Sequence, residues 1–129
     1  MGHPNEELLR MAYAAFLKGD LDGYLSHCTD DITFTIPGKG LTSGVYSRSE
    51  FVRPLISKVI DLTNGTFVEV LSAVIANDES GVVLARHEFF RKGRQFSYDI
   101  AHVYRIKDGK LAQFSEYLAD LYAFDEAWS

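Results

Sequence analysis

Apolar positions recur along this chain first with the period of a helix and then with the period of a strand. Leu8, Met11, Ala12, Ala15 and Phe16 form an apolar stripe that predicts a first helix from Pro4 or Asn5 to a stop at Gly19. Asp20 is placed to cap a second, shorter helix reaching about Cys28. Thr29-Asp30-Asp31 then turns the chain into Ile32-Thr33-Phe34-Thr35-Ile36, whose alternation is that of a half-buried strand ended by Pro37-Gly38. Lys39 to Tyr46 reads as a glycine-punctuated loop. Ser47 and Glu50 have the spacing of a capping box ahead of Phe51, Leu55, Val59 and Ile60, so a third helix follows, with a kink expected at Pro54.

From Thr66 onward four strand-like runs, about 66–76, 82–91, 96–106 and 110–118, are separated by Asn77-Asp78-Glu79-Ser80-Gly81, Lys92-Gly93 and Lys107-Asp108-Gly109. Connections this short imply consecutive antiparallel hairpins. The tail from Asp120 to Ser129, with Leu121, Phe124 and Trp128, is expected to dock over one end of the sheet. Helices gathered before strands indicate the α+β class, in one domain.

Side-chain alternation assigns the faces. Phe96, Tyr98, Ile100, His102, Tyr104 and Ile106 share the apolar, inward face of their strand. A two-residue Lys92-Gly93 turn pairs Phe89 with Phe96 and His87 with Tyr98, all inward, and Arg86 with Asp99, both outward. For the last hairpin, a two-residue loop pairs Lys107 with Lys110 and sets Phe114 opposite Val103, on the polar face. A three-residue loop ending in a left-handed Gly109 pairs Ile106 with Lys110 and sets Phe114 opposite His102. The second keeps the apolar sets together and is preferred. It places Glu116 inward, one diagonal step from His102, so that an acid and a base meet in an apolar setting.

Composition narrows the function. The 129 residues are 47% hydrophobic and 24% charged, enough to build a core and stay dissolved, with seven Tyr and nine Phe to fill a core or line a pocket. A net charge of -5 without clustered Lys or Arg argues against nucleic acid. The single Cys28 reads as a buried thiol. No apolar run has the length of a membrane span, the polar start lacks a signal-peptide core, and the expected compartment is the cytoplasm. Tyr13, Tyr24 and Tyr104 read first as core aromatics with wet hydroxyls.

Three stretches carry a family resemblance: Phe16-Leu17-Lys18-Gly19-Asp20-Leu21-Asp22-Gly23, Thr29-Asp30-Asp31-Ile32-Thr33-Phe34, and His102 through Leu111 leading to Glu116-Tyr117-Leu118-Ala119-Asp120. Together and in this order they resemble the ketosteroid isomerase and SnoaL-like polyketide cyclase branches of the nuclear-transport-factor-2-like superfamily. The resemblance implies a cone-shaped, cystatin-like α+β barrel with an internal pocket, and pairing of two copies through the outer sheet face, where Val103, Leu111 and Tyr117 would supply apolar area. The isomerase design does not carry over. Its carboxylate base falls on Ile36, its helix 1 tyrosine on Ala12, with Tyr13 one position off, and its oxyanion-binding aspartate on His102. The cyclases resemble this chain more closely, with a pocket histidine at His102 and an acid/base carboxylate at Glu116.

Burial favours the neutral form of a carboxylate and a nearby imidazolium opposes this, so Glu116 and His102 are candidates for a coupled catalytic pair. His87 and Tyr98 are candidate ligand contacts, and Tyr13, Phe34, Ile36, Phe89, Ile100, Phe114 and Leu118 are expected to complete the contact surface. His87, His102 and Glu116 show none of the close helical spacings of zinc motifs, so neither a metal nor a cofactor is expected. The expected function is cofactor-independent acid/base chemistry, isomerase- or cyclase-like, on a small apolar carbonyl compound. The rival expectation is a non-catalytic module that binds a small hydrophobic ligand.

Overall fold

Pro4 opens the first helix at the position where a missing N–H costs nothing, and the His3 side chain caps it by accepting from Asn5 N at 3.0 Å. The computed structural model describes residues 2–129. Helix α1 spans Pro4–Leu17 and buries Leu9, Ala12 and Tyr13. The buried stripe is thus turned by one position from the expected one. Leu9, Ala12, Tyr13 and Phe16 form it, and Met11 is 51% exposed, because the tyrosine ring and not the methionine faces the sheet. Asp20 caps the one-turn helix α2, Leu21–Leu25, by accepting from Gly23 N at 2.9 Å.

Strand β1, Cys28–Ile36, begins earlier than the alternation suggested and carries Asp30 and Asp31 on its exposed, irregular first half. The expected loop before Ser47 contains a four-residue strand, β2, Gly44–Ser47, paired antiparallel with β1. The capping box forms: Ser47 N donates to Glu50 Oε1 at 2.9 Å and starts a 3-10 turn, Arg48–Glu50. A wide helical turn, Phe51–Ile56, breaks at Arg53 just before Pro54, and the chain resumes as α3, Ser57–Thr63. Proline restricts the residue before it to extended backbone, which explains the break.

Four long strands follow: β3, Val68–Ala76; β4, Ser80–Arg91; β5, Arg94–Lys107; and β6, Lys110–Leu118. Consecutive hairpins give the sheet order β2-β1-β6-β5-β4-β3. The sheet is mixed, not purely antiparallel, because β1 returns alongside β6 in parallel. Helix α4, Leu121–Ala127, capped by Asp120, lays the buried Phe124 and Trp128 over the inner face. Arg91 Nη1 holds this end by donating to Ala127 O at 2.7 Å and Ser129 O at 3.1 Å.

The β5–β6 connection corrects the expected register. It is a two-residue turn, with Lys107 opposite Lys110 and positive φ at Asp108 (50°) and Gly109 (74°), as hairpin twist requires. The odd residue lies in the strand: Ala112 forms a bulge between the pairs Ile106–Leu111 and Arg105–Gln113. Beyond it Tyr104 faces Phe114 and His102 faces Glu116 directly. Before it parity is reversed, so Leu111 is 0% exposed and cannot contribute to an outer face, contrary to expectation.

Candidate functional site

The inner face of β3, β4, β5 and β6 carries a row of buried ionisable groups. His102 Nε2 lies 2.8 Å from Glu116 Oε1, and the two side chains are cross-strand partners. His87 Nε2 lies 2.7 Å from Glu69 Oε1 across the β3–β4 pair. The two couples adjoin: His102 Nδ1 is 3.8 Å from Glu69 Oε1. Glu69 Oε2 is buried without a hydrogen-bond partner among the described residues. On the flanks, Tyr98 Oη lies 3.2 Å from His87 Nδ1 and accepts the Trp128 indole N–H at 2.8 Å.

A tyrosine chain ties this row to the helices. Tyr13 Oη lies 2.7 Å from His102 Nδ1 and 2.6 Å from Tyr104 Oη, which lies 2.8 Å from Tyr24 Oη. These hydroxyls are buried and bonded to one another, not wet as expected. Burial, reinforced by neighbouring phenols and by Glu69, pushes all three well above the usual tyrosine value, so they stay neutral donors. Burial opposes charging His102, but the Glu116 hydrogen bond and the Glu69 and Glu116 charges outweigh it and hold the imidazole above its ordinary value. Burial likewise opposes ionising Glu69, and the His87 hydrogen bond together with the two imidazoles outweighs it and holds the carboxyl below the usual range. The resulting picture is an ionised Glu69 beside a proton-loving His102.

Glu69, His87, Tyr98, His102 and Glu116 line a cavity of about 620 Å³, a size suited to a small organic ligand. Its walls include Tyr13, Phe16, Phe34, Ile36, Phe51, Phe67, Phe114, Phe124 and Trp128, and the exposed Leu17, Ile60 and Val68 form its rim. Of the expected contacts, Glu116, His102, His87, Tyr98, Tyr13, Phe34, Ile36 and Phe114 come together here. Phe89, Ile100 and Leu118 do not line it. The Trp128 ring packs on Phe89 at 4.5 Å between centroids, and Ile100 and Leu118 face each other as cross-strand neighbours.

Sequence reading missed Glu69. Counting back from the buried Val74 along a straight strand points Val70 and Val68 inward, but a bulge at Ser72 reverses the parity of β3. Glu69 therefore turns in and Val68 and Val70 turn out, at 51% and 49% exposure. One signal was present: without the bulge Glu69 would sit opposite Glu88, a like-charge pair that sheets avoid.

A mixed sheet wrapped around an aromatic cavity, with acids and imidazoles facing inward, defines an α+β protein of the cystatin-like fold. The family model for the SnoaL-like domain matches residues 9–114, and the chain belongs to that family. It is 26% identical to an uncharacterized protein of Mycobacterium tuberculosis over 124 residues, covering 95% of each chain. It superposes on Bal32a, from a soil-derived mobile gene cassette, with a TM-score of 0.88 at 28% identity, covering 97% of this chain and 96% of that one. TerC, crystallised with polyporic acid, gives a TM-score of 0.82 at 23% identity, with 97% and 98% coverage. Among the described residues no helix is long and apolar enough to cross a membrane.

Proposed function

We propose that this protein moves a proton on a small, planar, apolar carbonyl compound held in the aromatic cavity, with Glu116 as base and His102 as the group that orients it and steadies the developing enolate. The reading is carried by one observation: the 2.8 Å contact of His102 Nε2 with Glu116 Oε1 on the wall of a mostly apolar cavity. The N–H fixes one carboxylate oxygen and leaves the other to abstract and return a proton. His87 and Tyr98 are the ligand contacts beside the couple. An aryl alkyl ketone, flat enough for these walls and carrying an acidic α C–H, is the substrate class; TerC, of similar fold, was crystallised with another aromatic carbonyl compound, polyporic acid.

The test is a screen of aromatic carbonyl compounds that carry an α C–H, aryl alkyl ketones first, for enzyme-dependent deuterium exchange at that position. Glu116→Gln should lower the rate by about 10²–10⁴ while the ligand still binds. A ligand that binds without exchange by the wild type makes the protein a binding module and defeats the catalytic reading. Two copies are proposed to pair through the outer sheet face, where Leu84, Ala101 and Tyr117 lie side by side across β4, β5 and β6. Sedimentation of the wild type as a monomer at micromolar concentration rules the pairing out.

A further inference from the structure

The second couple, Glu69 and His87, transfers no proton in that reaction, yet it costs the fold a buried carboxylate with an oxygen that no group among the described residues satisfies. Three ligand-type atoms converge beside it. Glu69 Oε1, His87 Nε2 and His102 Nδ1 lie within 4.8 Å of one another, with Glu69 Oε1 at 2.7 Å from the first nitrogen and 3.8 Å from the second. Donor atoms that share a cation at about 2.0–2.1 Å each stand roughly 3–3.5 Å apart, so the two Glu69 distances need adjust by only a few tenths of an ångström, while the two imidazole nitrogens, within 4.8 Å of each other, close by side-chain rotation. They come from adjoining strands of one sheet, not from mobile loops.

The outer nitrogens of both imidazoles are already held. His102 Nε2–H can donate to Glu116, and His87 Nδ1–H can donate to the Tyr98 oxygen, which α4 fixes through Trp128. A carboxylate or hydroxyl behind each histidine, with the inner nitrogens gathered near one carboxylate oxygen, is the outer-shell arrangement of metal-binding histidines. The geometry points to a divalent transition-metal site formed by Glu69, His87 and His102 on the cavity wall. Two imidazoles and one carboxylate suit zinc, cobalt, iron or nickel rather than calcium or magnesium. Tyr13 Oη, 2.7 Å from His102 Nδ1, is the group the ion displaces or recruits, and the remaining positions open to the cavity and its ligand.

Binding is read without turnover, so its outcome is independent of the proton-transfer reading. EDTA-stripped, desalted protein is titrated with Co²⁺ at neutral pH, followed by visible d–d absorption, and then challenged with Zn²⁺. One equivalent per chain should bind, show ligand-field bands and be displaced by zinc. Glu69→Gln, a near-isosteric change, and His87→Gln should each weaken binding by at least a hundredfold, while His3→Ala, which removes the exposed His3–Asp78 pair, should leave it unchanged. Glu116→Gln should weaken it about tenfold, as loss of an outer partner does. Absence of saturable binding by folded wild type overturns the proposal without recourse to any variant. So does binding that survives both Glu69→Gln and His87→Gln.

Discussion

Tyr13→Phe tests whether the hydroxyl chain holds helix α1 to the sheet. The change removes one oxygen and leaves the ring, so no cavity of consequence forms. It deletes the contacts of Tyr13 Oη with His102 Nδ1 (2.7 Å) and Tyr104 Oη (2.6 Å). Each such bond contributes about 1 kcal/mol net, and a buried polar atom left unpaired costs about 1–3 kcal/mol. Tyr104 keeps Tyr24 as partner at 2.8 Å, whereas His102 Nδ1 keeps only Glu69 at 3.8 Å. The expected loss is therefore about 2–3 kcal/mol, set mainly by the histidine. With a urea m-value of about 2 kcal/mol/M, the midpoint falls by roughly 1–1.5 M at constant slope. A cycle with Tyr104→Phe should show coupling of about 1 kcal/mol, and the exposed Tyr122→Phe should shift stability by less than about 0.5 kcal/mol. A Tyr13→Phe loss as small as the Tyr122 control would refute the idea that the chain of hydroxyls is structural glue.

Other expectations are simpler. Burial pushes the Cys28 thiol up to about 12, outweighing the nearby Arg48 and Lys110 charges, so Ellman's reagent at pH 8 should label it only as fast as the protein unfolds; prompt labelling contradicts the burial. Trp128→Ala, at a side chain 2% exposed, should cost about 3–5 kcal/mol, and a loss under about 1 kcal/mol in chemical denaturation shows that α4 does not complete the core. The metal-free protein should have a stability maximum in mildly acidic solution. The contribution of His102, raised above its ordinary 6.5, is complete below that pH and fades as pH rises through the folded value. That of Glu69, lowered from 4.5, is complete above that pH and fades as pH falls through the folded value. A melting temperature that climbs steadily from pH 6 to 9 contradicts the His102 assignment.

Much of the element order was legible because periodicity and caps are local: Asp20 and Ser47 with Glu50 sit at helix starts, whereas the tail showed its docking aromatics but not the short helix that Asp120 caps. Strand β2 was not, since only Tyr46 among its four residues turns inward and no alternation builds up. The stripe on α1 was misplaced by one residue because a tyrosine that bonds inside the core reads as less apolar than the exposed Met11. The meeting of Glu116 and His102 was foreseen through a wrong turn: parity demanded one extra residue, and parity cannot say whether a loop or a bulge supplies it. The metal-type cluster was invisible for a related reason. Helical metal motifs show close spacing along the chain, whereas Glu69 and His87 are 18 residues apart and meet only through strand pairing.

Both site carboxylates reach the interior through a bulge, Ser72 in β3 for Glu69 and Ala112 in β6 for Glu116. In β3 the regular alternative is easy to price: a straight strand would turn Val68 and Val70 inward, each worth about 1.5–3 kcal/mol when fully buried, and send Glu69 to solvent. The fold instead exposes both valines and buries an acid with an orphan oxygen. Stability alone gives no reason for that exchange. Bulges concentrate where a side chain has to be re-aimed, and here two of them aim acids at the two imidazoles that β4 and β5 already present. The bulges of β3 and β6 and the chemistry of the cavity are then one fact: these two strands depart from regular pairing at the points that gather four ionisable side chains in an aromatic setting.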